Sequence, residues 1–202
     1  MLDRISHVIS YIFHPLLMPS YTFGILYIFA PELIMPLSIR TLPFLFFTTC
    51  IIPLASISLM KVMGQISSLK MESREDRKLP FMMVTIYYTV TSYLFIFKLN
   101  VNETVAAIFI ATGVLLLVVS VVTFWFKISI HAAGVSGLTG LLLALVFNYP
   151  SEPINYLFLI LVVMSGLTMS ARLQLNAHTP KEILLGGTAG LVVCFLVLDQ
   201  LG

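Results

Sequence analysis

Charged residues are scarce in this chain, because Asp, Glu, Lys and Arg make up only 10% of its 202 residues. An ordinary soluble domain contains about 25%, so the composition argues against a water-soluble globular protein. The net charge is only +2, and no basic stripe is interleaved with aromatic residues. The sequence therefore also argues against a nucleic-acid partner.

Cysteine is scarce as well, with only Cys50 and Cys194 in the chain. Both lie inside apolar runs, and neither takes part in a Cys-x-x-Cys or Cys/His spacing. We interpret them as small buried hydrophobic residues. The first ten residues contain a single basic residue and no clear cleavage site, so a removable signal peptide is not expected.

Long apolar runs fill most of the chain, which is 59% hydrophobic and has a mean hydropathy of +1.03. A bilayer core about 30 Å thick needs about 20 such residues in a helix to cross it. The runs show no two-residue alternation, and lipid does not tolerate unpaired backbone groups, so helices are expected. The sequence predicts an all-α fold, a polytopic membrane helix bundle of six to seven transmembrane helices. It is expected to form a single membrane domain over residues 1–202.

Charged residues, prolines and glycines divide the chain into segments. Residues 1–20 are predicted to form an interfacial or half-inserted helix, because His14, Pro15 and Pro19 interrupt them. Prolines within the second span predict a kink there. Glycines at positions 134, 137 and 140 predict close helix packing. The predicted spans cover residues 21–30, 41–60, 80–97, 104–126, 132–147, 154–170 and 183–201.

Most ionisable residues gather in three polar segments between these spans, namely a loop at 61–79, residues 127–131 and residues 170–182. Two predicted spans separate the first segment from the second, and two separate the second from the third. An even number of crossings returns the chain to the same membrane face. The three segments can therefore contribute to one site, which an odd number would have excluded.

The three polar segments contain the side chains that a phosphoryl group requires. Arginine binds phosphate oxygens through two parallel hydrogen bonds, and lysine adds a compact positive charge. Glu182 lies one helical turn after His178, where its carboxylate can hold the imidazole N–H and make the ring a better nucleophile. The candidates are the cations Lys70, Arg77 and Arg172, the hydroxyl of Ser129, the imidazoles of His131 and His178, and the carboxylate of Glu182.

The spacing of these residues resembles that of the type 2 phosphatidic acid phosphatase family of membrane lipid phosphatases. The motifs of that family are Lys-x6-Arg-Pro, Pro-Ser-Gly-His and Ser-Arg-x5-His-x3-Asp. The resemblance covers residues 70–186, and its third motif is the most specific. The corresponding residues here are Lys70 and Arg77, Ser129 and His131, and Arg172, His178 and Glu182 with Gly186 one turn later. The chain departs from the pattern in three ways: the first motif lacks its adjacent proline, the second lacks its proline and glycine, and the third has alanine for serine and glutamate for aspartate.

The resemblance implies a metal-independent hydrolase without a cofactor, acting on a lipid phosphate or diphosphate such as polyprenyl diphosphate, phosphatidate or phosphatidylglycerol phosphate. His178 would attack phosphorus to form a phosphohistidine, His131 would protonate the leaving group, and Glu182 would orient His178. One carboxylate among several cations also does not make the oxygen-rich site that a divalent metal needs. The residues expected to bind the phosphoryl oxygens are Lys70, Arg77, Ser129 and Arg172.

Two other functions remain open from the sequence. One is a catalytically lapsed relative that binds lipid phosphate, and the other is a transporter or channel, which predicts charges within the spans. His14 is interpreted as a helix-start or interface residue, and Lys127 as an interfacial anchor. Arg74 and Lys78 are interpreted either as surface residues or as ligands of a second phosphate.

The chain is expected to be an integral protein of the inner or plasma membrane, with membrane lipids and a lipid phosphate substrate as its partners. Basic residues around the motifs favour a cytoplasmic site by the positive-inside bias. The resemblance favours the outer face, which we adopt as the prediction. The sequence makes no prediction about the oligomeric state.

Overall fold

The computed structural model describes residues 2–69, 71 and 73–202, and this part of the chain is helical without a β-strand. Seven helical segments in it are long and apolar enough to cross a membrane. The predicted all-α membrane helix bundle is therefore confirmed. Its helices are α1 (Leu2–Ile12), α2 (Met18–Phe29), α3 (Leu42–Phe46), α4 (Ile52–Val62), α5 (Glu75–Lys98), α6 (Glu103–Val122), α7 (Ile130–Asn148), α8 (Glu152–Gln174) and α9 (Pro180–Leu201).

The first two helices follow each other closely and form one membrane-length segment, Leu2–Phe29. A 3₁₀ turn at Pro15–Leu17 joins them, and the His14 side chain starts this turn by accepting the backbone N–H of Leu16 at 3.3 Å. Helix α2 begins at Met18, ahead of the predicted start at residue 21. The predicted half-insertion of residues 1–20 stays a prediction.

In the second span, where the prolines predict a kink, the structure has a π-helical turn at Phe47–Ile51, between α3 and α4. Pro53 has no backbone N–H, so the hydrogen bonding around it shifts by one residue. The N–H of Ile52 accordingly reaches back to the carbonyl oxygen of Phe47. Proline therefore changes the register of this helix without ending it.

Helix α7 lies at the centre of the bundle, because 72% of its membrane window is buried, against 28–44% for the other spans. It packs against α6, α8 and α9. A Cβ atom at Gly190 of α9 would clash with the carbonyl oxygen of Ala133, and one at Gly140 of α7 would clash with that of Leu191. The predicted close packing at Gly140 is confirmed. The contact made later along α7, at Gly140, is also made later along α9, at Leu191. Helices α7 and α9 therefore run parallel, with their N-terminal ends side by side.

The loop predicted at residues 61–79 is shorter in the structure. Helix α4 continues to Val62 and α5 begins at Glu75, so Arg77 lies in the first turn of a helix. Ser73 Oγ accepts the backbone N–H of Asp76 at 3.1 Å, and acidic residues in a first turn stabilise the helix N-terminus. The prediction was wrong here because the signals that start α5 lie inside the charged run.

Candidate active site

The third motif forms the turn between α8 and α9. After Gln174 ends α8, Asn176 takes a positive φ of 49°, which asparagine adopts more readily than most residues. Thr179 then caps α9 by accepting the backbone N–H of Glu182 at 3.4 Å. His178 consequently lies just before α9 with Glu182 in the first turn of that helix. Their side chains meet, with His178 Nδ1 2.6 Å from Glu182 Oε2.

The carboxylate of Glu182 determines which nitrogen of the His178 imidazole carries the proton. An ionised carboxylate can only accept a hydrogen bond, so Nδ1 carries the proton and Nε2 keeps its lone pair. The His178 side chain is 1% exposed, and this burial is the main reason why the pKa of His178 is lowered to about 4. The Glu182 hydrogen bond opposes the lowering, and Arg77 and Arg172 add to it. His178 is therefore neutral near pH 7, the form in which Nε2 can act as a nucleophile.

Arg77 connects the first motif to the second and is only 5% exposed. Its Nε donates to the carbonyl oxygen of Met71 at 2.7 Å, and its Nη1 donates to that of Ile128 at 3.0 Å. The guanidinium is also close enough to His178 for its positive charge to oppose protonation of the imidazole. Lys70, the other cation predicted from this motif, lies outside the described residues.

Ser129 fixes the start of the second motif against the third. Its hydroxyl caps α7 by accepting the backbone N–H of Ala132 at 3.4 Å, and its own N–H donates to the carbonyl oxygen of Glu182 at 3.2 Å. A Cβ atom at Gly186 would clash with the Ser129 carbonyl oxygen, so only glycine permits this approach. Ser129 is fully buried. It joins α7 to α9, and its role as a phosphate ligand stays a prediction.

His131 and Arg172 carry polar atoms that the described part of the chain leaves without a partner. His131 Nδ1 and Arg172 Nε are buried, and neither has a hydrogen bond there. Another nitrogen of Arg172, Nη1, reaches the Ser10 hydroxyl at 3.4 Å. Arg172 and His178 lie close enough to His131 to interact with it electrostatically. Buried polar atoms without partners are rare in folded proteins, so the surroundings of Arg172 and His131 are a candidate functional site.

Lys127 belongs to the same site, although the sequence indicated only an interfacial anchor. Its Nζ donates to the carbonyl oxygen of Ala177 at 3.3 Å and lies 4.0 Å from Glu182 Oε2. Together with His178 it lines a polar cavity of about 330 Å³. Its place inside the second polar segment, two residues before Ser129, was the available signal in the sequence.

Arg74 and Lys78, considered as ligands of a second phosphate, are instead engaged with Glu75. Their nitrogen atoms lie 3.0 and 2.5 Å from its carboxylate oxygens. Arg74 Nη1 also donates to the carbonyl oxygen of Trp125 at 2.9 Å. Neither residue lines the cavity beside His178. Of the two interpretations, this arrangement fits the surface role better.

An apolar cavity of about 130 Å³ lies within the bundle. His14 and Ile130 line the end of it that is nearest to His131, since the ring centroids of His14 and His131 are 5.4 Å apart. The chain therefore places an apolar space beside the His131 side chain. Other walls come from the interior of the bundle, including Met18, Phe81, Tyr88, Leu115 and Cys194.

Within the described ranges, no group of three His, Cys, Asp or Glu side chains is arranged to hold a metal ion. Comparison of the chain with protein-family models, with curated proteins and with solved structures finds no match. The function is therefore inferred from the residues of the site.

Proposed function

We propose that this chain is a metal-independent membrane phosphatase that hydrolyses a lipid phosphate or diphosphate through a phosphohistidine intermediate. The observation that carries the proposal is the 2.6 Å contact between His178 Nδ1 and Glu182 Oε2, because it places the ring proton on Nδ1 and the lone pair of a buried, neutral imidazole on Nε2. The positive charges of the buried Arg77 and the half-buried Arg172 oppose protonation of this ring. A nucleophile beside these cations suits attack on an anionic phosphoryl group.

The reaction has two steps. In the first, His178 Nε2 attacks phosphorus, the bond from phosphorus to the leaving oxygen breaks, and His131 donates a proton to that oxygen. In the second, water attacks phosphorus, His131 takes a proton from the water, and the bond from phosphorus to Nε2 breaks to release inorganic phosphate. Arg77 and Arg172 stabilise the negative charge on the phosphoryl oxygens in both transition states.

The apolar cavity supports a lipid substrate. A headgroup held by Arg172 and His131 would leave its hydrocarbon tail beside the cavity that His14 and Ile130 border. Lys127 offers a cation next to His178, so it is the candidate ligand for the second phosphate of a diphosphate substrate. Polyprenyl diphosphate, phosphatidate and phosphatidylglycerol phosphate are the substrates to compare.

The rival functions differ in what they predict for the charged residues. A transporter predicts charges in the middle of the spans, whereas the proposed site uses the first turns of α5 and α9 and the last turn of α8, where Arg77, Glu182 and Arg172 lie. A lapsed relative that binds lipid phosphate predicts binding without turnover. Phosphate release separates it from an active enzyme.

The test is release of inorganic phosphate from the three lipid substrates by the full chain purified in lipid nanodiscs. We expect turnover of at least one substrate, its loss in His178→Ala, and full activity in the matched control His7→Ala, since His7 is exposed on α1. Radiolabelled substrate should yield an acid-labile phosphohistidine in the wild type. A chelator should not reduce the rate. Normal phosphate release by His178→Ala would refute the mechanism, and binding without release by the wild type would favour the lapsed relative.

We further propose that the site faces the outer side of a plasma or inner membrane. Lys181 is exposed at the start of α9, close in sequence to His178. A Lys181→Cys variant in intact cells should react with a membrane-impermeant thiol reagent. Protection of this cysteine until the cells are lysed would place the site on the cytoplasmic side.

A further inference from the structure

The N-terminal segment packs against the same end of the bundle as the three motifs, although the resemblance to a phosphatase begins only at residue 70. Helix α1 lies along α8. Gln174 Nε2 donates to Asp3 Oδ1 at 3.2 Å, and Arg172 Nη1 reaches Ser10 Oγ at 3.4 Å. Ser10 is buried in this contact. The segment therefore forms part of the wall around Arg172.

His14, at the end of this segment, contacts His131. The two ring centroids are 5.4 Å apart and the ring planes are at 85°, an edge-to-face arrangement. His14 Nδ1 accepts the backbone N–H of Leu16 at 3.3 Å, so its ring proton is on Nε2 and the ring is neutral, because a protonated Nδ1 could not accept. The capping bond fixes the His14 ring, and the His14 ring in turn limits how the His131 ring can rotate.

His131 needs such a support. Its Nδ1 is buried without a hydrogen-bond partner in the described part of the chain, whereas His178 is held by Glu182. A general acid works only when its proton lies within hydrogen-bonding distance of the leaving oxygen. With no partner on Nδ1, the orientation of the His131 ring depends on a hydrogen bond with the backbone of Ser10, in the same N-terminal segment, and on the groups packed against the ring.

We infer that His14 is a positioning residue that holds the His131 ring in the orientation in which it protonates the leaving oxygen; this rests on the proposed phosphatase function. The structure thereby extends the site to a residue of the N-terminal segment. His14 does not transfer the proton itself, since its Nδ1 is occupied by the Leu16 N–H and its ring meets His131 edge to face.

The leaving group provides a readout that a purely structural role would not change. An alkyl leaving group needs a proton as it departs, whereas nitrophenolate leaves without one. Loss of the His131 orientation should therefore slow the hydrolysis of an alkyl lipid phosphate and leave the hydrolysis of nitrophenyl phosphate almost unchanged. General-acid catalysis is worth 10²–10⁴-fold, so partial misorientation should lower kcat for the lipid phosphate by about tenfold and change nitrophenyl phosphate turnover by less than about twofold.

Two variants of the full chain in nanodiscs separate the ring contact from the cap. In His14→Asn, the amide oxygen can still accept the Leu16 N–H but the ring is lost. In His14→Phe, a ring remains but the cap is lost. We expect His14→Asn to lose alkyl lipid phosphate turnover selectively and His14→Phe to keep more of it. His131→Ala should show the same selectivity more strongly.

Two results would overturn the inference while leaving the proposed function intact. One is wild-type turnover of the alkyl lipid phosphate by His14→Asn. The other is an equal fall for both substrates, which would show a general structural effect. If instead the wild type released no phosphate, or His178→Ala released it normally from both substrates, the proposed function itself would fail and the inference with it.

Discussion

Replacing Glu182 by glutamine tests the pair on which the proposed chemistry depends. Glu182 Oε2 lies 2.6 Å from His178 Nδ1 and the Glu182 side chain is 19% exposed, so the carboxylate acts in a partly desolvated place. Glutamine keeps the size and can still accept through its amide oxygen, but it removes the charge. Because the nucleophilic imidazole gains positive charge as it attacks, the lost charge raises the barrier.

The size of the effect follows from the kind of hydrogen bond that is lost. A bond to a charged group contributes roughly 1.5–3 kcal/mol and a neutral one roughly 0.5–1.5 kcal/mol. The difference of about 1 to 1.5 kcal/mol corresponds to roughly a tenfold fall in kcat. If the amide turned its NH₂ group towards Nδ1, the ring proton would move to Nε2 and the loss would be larger. Glu182→Asp keeps the charge and should retain more activity than Glu182→Gln.

The measurement is kcat and KM for phosphate release, together with the rate of phosphohistidine formation in a single turnover. Glu152→Gln is the matched control, because Glu152 is an exposed carboxylate in the first turn of another helix, α8, and reports any loss of helix stability. An unchanged single-turnover rate in Glu182→Gln, with the control also unchanged, would show that Glu182 does not support His178.

Three further predictions concern the same end of the bundle. Lys127→Ala should lower kcat/KM for a diphosphate more than for a monophosphate, by about fivefold to tenfold, whereas the exposed Lys181→Ala should change neither; equal effects on both substrates would contradict a role at the second phosphate. Because the pKa of His178 is lowered to about 4, its nucleophilic form should be lost only as the pH falls through that value, and an NMR titration of the ring with a midpoint at the ordinary 6.5 would contradict this. Gly186→Ala forces a Cβ atom against a backbone carbonyl of the second motif and should destabilise the fold by about 1–3 kcal/mol, measured as a lower Tm with loss of turnover. A Cβ atom at Gly166 would meet open space, so Gly166→Ala should leave both the Tm and the turnover unchanged. Equal Tm values in the two variants would argue against the close approach of α7 and α9.

The spans and the pairing of His178 with Glu182 could be predicted because each depends on local sequence. A run of apolar residues is sufficient to indicate a membrane helix, and a spacing of four places two side chains on one face of a helical turn. The even number of crossings likewise needed only the hydropathy pattern. It correctly brought the described members of the three motifs to one end of the bundle.

The contacts of Lys127 and His14 could not be predicted, since both depend on how distant segments pack. Lys127 meets the carbonyl oxygen of Ala177 only because Asn176 turns the chain back at the end of α8. His14 meets His131 only because α1 folds along α8. Apolar patterning does not encode either contact, so the interpretation of both residues from sequence was limited to interfacial roles.

The backbone hydrogen bond from Ser129 to Glu182, with Gly186 packed against it, has a consequence for the behaviour of the protein in different bilayers. Transmembrane helices adapt to bilayer thickness by tilting, and independent tilting of α7 and α9 would change the separation of His131 and His178. Because the two helices are joined backbone to backbone at their starts, they should tilt as one body. Turnover should therefore depend little on the acyl-chain length of the surrounding lipid.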